Sequence, residues 1–309
     1  MSARTRPSRQ RGAAVIVAML VVALATIAAA GFMFRSQLEW RKFENAANLD
    51  QARWILRAAE QWAATVLMDD ARNSRVDHRG EAWAQELPPV ESEGYVISGR
   101  MEEQDGSFNL NNLVVDGQID EQQLAVFQRL LKVLRLPAEL AWHVADWLDS
   151  DQEPLQPGSA ESAYYLGLTP PYTAADRPLV SVDELTRVKG VDRDILGQLR
   201  PFVAALPRGN RVNVNTAPAE VLAALVESLT LDEAQALTAQ RDRIWFRDTA
   251  EFQRALPHGL SVNTGLATVS SEYFVVRASA RHGRISVGSR ALLHRMGTQL
   301  PTILWRASL

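Results

Sequence analysis

Hydrophobic and polar positions divide this chain into stretches of different period. Residues 13–34 form an uncharged, almost wholly apolar run of 22. About 20 such residues cross a bilayer as a helix. From Arg35 to Leu67 no proline or glycine interrupts the chain. There Ile55, Ala59, Trp62 and Val66 fall on one helical face, with Arg53, Arg57 and Glu60 on others. Two readings follow: one helix from Ala13 to Met68, roughly 84 Å long at 1.5 Å per residue, or two helices with a hinge near Gly31.

The period then shortens to two. Tyr95, Ile97, Gly99 and Met101 alternate with Val96, Ser98, Arg100 and Glu102, which predicts a strand. Asp105-Gly106 predicts a hairpin turn, with Phe108 to Asn111 as the short returning strand. The end of the chain repeats the pattern. Tyr273 to Ala280 is one strand, His282-Gly283 a turn, Arg284 to Arg295 a second strand, and Thr302 to Trp305 an edge strand. Between these β segments the period is helical. Leu124 to Leu134, Glu139 to Trp147, Ser181 to Val188, Arg193 to Val203, Ala217 to Leu229 and Asp232 to Arg243 are predicted helices, separated by Gly and Pro. A helical block between strands of one sheet reads as an inserted subdomain. No internal repeat is legible.

Composition narrows the classes. The 309 residues are 47% hydrophobic and 22% charged, which excludes wholesale disorder. With no cysteine, disulfides, thiol catalysis and Cys-based zinc sites are excluded. Net charge is −3, yet Arg4, Arg6, Arg9 and Arg11 precede Gly12 with no acid among them. A basic flank before an apolar helix keeps that flank in the cytoplasm and sends the rest of the chain across the membrane. The N-terminus reads as a signal anchor, as a signal peptide cut near Ala28-Ala29-Ala30, or as a prepilin-type leader ending at Gly12. The third is favoured because the apolar run abuts Gly12 directly and continues through Phe32 to Phe34.

No G-x-S-x-G, H-E-x-x-H or Walker A sequence is present, and the five histidines are scattered. An enzyme reading has no support. One cluster carries chemistry: Asp146, Asp149, Asp151 and Glu153, then Pro157-Gly158 and Glu161. Carboxylates at alternate positions, with another returning after a turn, suit a hard cation such as calcium. The spacing is not that of an EF-hand, and a solvated acidic loop fits it too. Asn109, Asn111 and Asn112 read as turn residues or as oxygen ligands, with turns favoured. Residues 178–192 and 211–222 resemble helix-hairpin-helix modules, which offer backbone N–H groups to phosphate. Against a membrane-anchored DNA receptor, Asp192 stands where a second glycine belongs. The block from Ile119 to His258 also holds 14 basic and 20 acidic residues, the wrong sign for nucleic acid.

The whole layout resembles the minor pseudopilin K family of the bacterial type II secretion system. The motifs carrying the resemblance are Arg11-Gly12 before the apolar helix, Asp105 to Asn112, Asp146 to Asp151 with Gly158 to Glu161 and Tyr164, and Val212 to Thr216. It implies an α+β, pilin-like fold: a long N-terminal helix on an antiparallel sheet, with a large all-helical insertion. The expected divisions are a leader (1–12), a membrane or fibre-core helix (13–34), the first part of the pilin-like domain (35–118), the insertion (119–259) and the C-terminal strands (260–309). It implies cleavage by prepilin peptidase between Gly12 and Ala13, and N-methylation of Ala13. It also implies structural calcium, for which Asp149, Asp151, Glu153 and Glu161 are the expected ligands, with Asp146 in reserve. The implied partners are minor pseudopilins I and J, the major pseudopilin and the inner-membrane assembly platform, with no nucleic acid. A type IV minor pilin is the nearer rival. Major pilin-like subunits carry Glu at the fifth mature position; here that residue is Val17. The resemblance therefore places this subunit at the tip, where no subunit lies ahead of it.

Overall fold

The computed structural model describes residues 10–207 and 209–309, with side chains from Ala13 onward. Most of the expected leader lies outside the described residues. Helix α1 (Gln10–Asn73) is continuous and roughly 96 Å long. It does not break at Gly31. A lone glycine costs a helix only about 1 kcal/mol relative to alanine, and no other group crowds it. The apolar run is exposed throughout, from Val15 to Phe34, with none of it buried against the other described residues. It is long and apolar enough to cross a membrane.

The second half of α1 packs on a sheet, but through a face rotated from the expected one. Ala52, Leu56, Ala63, Ala64 and Leu67 are buried, Ile55, Ala59 and Val66 flank them, and Trp62 is 51% exposed. The alanines explain the choice. Small side chains let the helix axis approach the sheet, where Phe274, Val276, Ala278 and Ala280 fill the space. A large indole there would hold the layers apart.

Strands β1 (Leu87–Ser92) and β2 (Tyr95–Glu103) pair antiparallel after α1. β1 was not expected because it contains Pro88-Pro89. Proline is tolerated there because β1 is an edge and its ladder is irregular between Leu87 and Val90. The hairpin expected at Asp105-Gly106 does not form. Instead β3 (Phe108–Asn109) leaves the sheet and opens a separate helical body.

That body consists of two similar units, a repeat not legible in the sequence. The first runs from β3 through the ribbon of β4 (Val114–Val115) and β5 (Gln118–Ile119), then α2 (Glu121–Val133), α3 (Leu140–Leu148) and α4 (Ser162–Leu166). It ends in a 3-10 turn (Val182–Arg187), α5 (Arg193–Leu199) and β6 (Val203–Ala204). The second contains β7 (Val212–Asn213), α6 (Ala219–Leu225), α7 (Leu231–Arg241), α8 (Thr249–Ala255) and β8 (Ala267–Thr268). In each unit the first strand pairs in parallel with the last, β3 with β6 and β7 with β8. In each, an Asn-x-Asn sequence follows the same rule. The first Asn accepts the N–H of the second, Asn109 from Asn111 at 3.1 Å and Asn213 from Asn215 at 2.9 Å. The second clasps both backbone groups of a distant residue. Asn111 holds Leu179 (2.7 and 2.9 Å), and Asn215 holds Phe246 (2.9 Å both ways). All four asparagines are buried, so these residues clasp distant backbone rather than serve as surface turns. One hydrophobic core runs from Phe108 to Ala267 through both units. The helical body is therefore wider than the expected 119–259.

The chain returns to the sheet as β9 (Tyr273–His282), β10 (Ile285–His294) and β11 (Thr302–Ser308). The order is β1-β2-β9-β10-β11, antiparallel at every pairing. Gly283, at φ +56°, sits in the tight β9–β10 turn. The face away from α1 presents Tyr273, Val275, Leu292 and Trp305 to Ala204 and Leu206 of the helical body.

The two Asn clasps make a direct test of the repeat. Asn111→Ala or Asn215→Ala strands a buried N–H and a buried C=O, at about 1–3 kcal/mol each. Each substitution is expected to cost the full chain roughly 2–5 kcal/mol in urea unfolding. A loss under about 0.5 kcal/mol in either would contradict the clasp.

Candidate metal centre

The last turn of α3 faces the start of α4 across the connecting loop 149–161. Asp146 lies in that turn, Asp149 caps its C-terminal end, and Glu161 is the residue before α4. All three side chains are buried, and each offers an oxygen within 4.8 Å of the others. Asp146 is partly satisfied, accepting the N–H groups of Leu155 (3.2 Å) and Ala160 (3.1 Å). Asp149 Oδ1 and both oxygens of Glu161 are buried with no hydrogen-bond partner. Two of the three, Asp146 and Asp149, sit at a helix C-terminus and oppose its dipole.

Such an arrangement is costly unless a positive charge enters it, since an uncompensated buried charge costs several kcal/mol. The titration behaviour agrees. Burial, then repulsion from Asp151, Asp146 and Asp176, pushes Asp149 up to about 7. Burial, then Asp146, Asp149, Asp151 and Asp176, pushes Glu161 up to about 8. Unpaired oxygens alone, with no nitrogen or sulfur donor, fit a hard cation such as calcium.

Two of the four expected ligands, Asp149 and Glu161, are thus brought together, joined by the reserve residue Asp146. Asp151 and Glu153 are not. Both are exposed, and the Asp151 carboxylate accepts the Glu153 N–H at 2.8 Å in a local turn. Alternation suggested shared ligation because it ignores this turn. Asp176, far along the loop, was missed. Its field reaches both buried carboxylates, and its N–H donates to Trp147 O at 3.2 Å. No spacing rule marks a residue returned by a long loop.

The loop itself is what distinguishes the two units. Between α3 and Leu179 the first unit carries residues 149–178, whereas the second joins α7 to Phe246 through residues 242–245. A long, mostly irregular segment orders only when something holds it. A second acidic group, Asp70, Asp77 and Glu81, behaves differently. Arg295 enters it, 2.8 Å from Asp70 and 2.5 Å from Asp77, so a guanidinium already supplies the positive charge. In the helix-hairpin-helix segment, Gly190 adopts φ +79°, and Asp192 caps α5 by accepting the Ile195 N–H at 2.8 Å. The aspartate takes an N–H that a phosphate would need.

Comparison with known proteins decides the family. Two family profiles described as type II secretion system protein K match residues 106–208 and 212–277, one on each unit of the helical body. The type II secretion system protein K of Pseudomonas aeruginosa is 36% identical, over 91% of this chain and 86% of its own length. That of Aeromonas hydrophila is 33% identical, over 89% and 90%. This chain belongs to the type II secretion system protein K family. The fold agrees. A solved structure, the GspK-GspI-GspJ complex from enterotoxigenic Escherichia coli, contains a chain that matches with a TM-score of 0.77 at 25% identity. The match covers 86% of this chain and 99% of that one. Family membership makes this protein a component of type II secretion, with the pilin-like α+β fold and helical insertion the sequence motifs implied.

Melting of the full chain with calcium and with chelator tests the cluster as a cation site. In chelator, the folded state holds protons on Asp149 and Glu161 that the unfolded state has lost above about pH 4. Stability in chelator should therefore fall as pH rises from about 4 to 8. Calcium competes with those protons, so the rise in midpoint on adding calcium should be larger at pH 8 than at pH 5. Equal midpoints with calcium and with chelator at pH 8 would sink the site.

Proposed function

We propose that this chain is a non-enzymatic minor pseudopilin at the distal tip of the type II secretion pseudopilus. It assembles with minor pseudopilins I and J and initiates the fibre that exports folded proteins across the outer membrane. The observation that carries the reading is the combination of an exposed apolar helix with a helical body mounted on the pilin-like sheet. The apolar half of α1 is not buried by any part of the chain among the described residues, and suits first the inner membrane and then a bundle of like helices. The body widens the subunit and leaves poor room for it in a repeating shaft. Similarity to the GspK chain of a complex with GspI and GspJ supports the same partners here.

In this reading the N-terminal arginines face the cytoplasm and the folded mass lies in the periplasm. Prepilin peptidase cuts between Gly12 and Ala13, and Ala13 becomes the methylated terminus. Val17 then carries no charge. A carboxylate at that depth costs about 2.5–3.5 kcal/mol unless paired, and a tip subunit has no amine ahead of it to pair with. Its own amine remains available to the subunit below. The acidic cluster holds structural calcium through Asp146, Asp149 and Glu161, with Asp151 and Glu153 on the adjoining turn.

Two measurements check the reading. Gly12→Asp should block maturation, leaving the leader on the chain by N-terminal sequencing; a mature terminus at Gly31 would instead mean signal-peptidase cleavage. Immunogold labelling of overproduced pseudopili should mark one end. Label along the whole shaft, at the density of the major subunit, would overturn the tip assignment.

A further inference from the structure

Three arginines stand side by side across the central strands. Arg100 on β2 lies opposite Arg277 on β9, which lies opposite Arg290 on β10. Directly opposed residues project from one face with Cβ atoms about 5 Å apart, and like charges placed so repel. Arg277 and Arg290 open into a cleft of about 300 Å³ between the sheet and the helical body, walled also by Arg200, Glu102, Val180 and Trp305.

The counter-charges are shared unevenly. Glu102 accepts from Arg277 Nε at 2.9 Å and from Arg100 Nε at 2.8 Å, and Glu86 stands 3.9 Å from Arg100. Arg200 is paired with Asp183. Glu103, also on the cleft wall, turns its carboxylate to the Gly106 N–H and the Ser271 hydroxyl. Burial, then the nearby Asp105, holds it above the usual carboxylate range, so it supplies little negative charge. Arg290 is left over. Its guanidinium lies over the Trp305 ring at 5.2 Å, and its Nε is buried with no acceptor. Asp183, already taken by Arg200, feels it only from farther away. No carboxylate among the described residues pairs with it.

We infer that this cleft is a binding site for a carboxylate, received by Arg290. The indole covers one face of the guanidinium and leaves its edge, whose forked N–H groups match a planar carboxylate. Without such a ligand the protein carries an unpaired buried N–H and a row of like charges; with one, both are relieved. The space admits the side chain of an aspartate or glutamate from another protein, or a small free dicarboxylate. These sources share one chemistry and are separable by experiment.

The test uses the full chain in detergent micelles, with succinate as probe and sodium chloride holding ionic strength constant. Succinate should raise the melting midpoint of the wild-type protein. Arg290→Gln should remove that response while starting from a higher midpoint, because the repulsion is gone. Arg290→Lys, which keeps the charge, should retain part of the response and serves as the folding control. Purification from cells expressing the whole secretion apparatus separates the sources. A protein side chain as ligand predicts that Arg290→Gln lowers co-purified protein at least about fivefold. A free carboxylate predicts equal co-purification alongside the lost succinate response. Identical succinate behaviour in wild type and Arg290→Gln, together with unchanged co-purification, overturns the site.

Discussion

The pairing of β2 with β9 is the constraint on which the rest of the structure depends. Val96 to Glu103 must meet Phe274 to Arg281 across the whole helical body that separates them in sequence. The body can exist only if it returns the chain to its point of departure. Buried polar groups at that point enforce the return. Asp105 accepts the N–H groups of Glu272 and Tyr273, both at 2.8 Å, and the Asn210 amide at 3.1 Å. Asp77, just beyond α1, accepts the Ser271 N–H at 2.7 Å and pairs with Arg295. Its carbonyl takes the Asn213 amide at 3.1 Å. Helix, sheet and body thus share one joint, in which the carboxylates meet N–H groups or a guanidinium.

Set beside that joint, the acidic loop is the exception. At the joint, internal donors satisfy the buried acids. At Asp149 and Glu161 they do not. The same fold therefore holds one acidic cluster closed by its own arginine and another whose buried oxygens no donor among the described residues meets. The second lies in the segment that only the first unit carries. The parallel-paired frame of each unit, with its Asn clasp, stands without that segment, as the second unit demonstrates.

Much of this was legible in the sequence, for physical reasons. The sheet strands alternate because one face packs on α1, so β2, β9, β10 and β11 were found; β1 was hidden by its prolines. Of the two readings open for the N-terminal half, the continuous helix is the one the structure shows, with its buried face rotated by one position from the expected one. Periodicity weighs Trp62 as strongly apolar, whereas the sheet demands alanine. The nearness of Asp149 to Glu161 was legible and the approach of Asp176 was not, since a loop fold, unlike a helix, gives no fixed spacing. The repeat escaped notice because its signature is two Asn-x-Asn clasps whose partners lie far away in sequence, and because one unit is lengthened by the acidic loop.

On the proposed reading, the joint stands on internal pairing while a bound cation holds the loop 149–178. Amide hydrogen exchange of the full chain at pH 8, with calcium and with chelator, addresses it residue by residue. Chelation should strip protection from residues 149–178 and the end of α3, and leave β2 and β9 protected as before. Protection in the loop that does not change on chelation, or protection lost equally from β2 and β9, would contradict it.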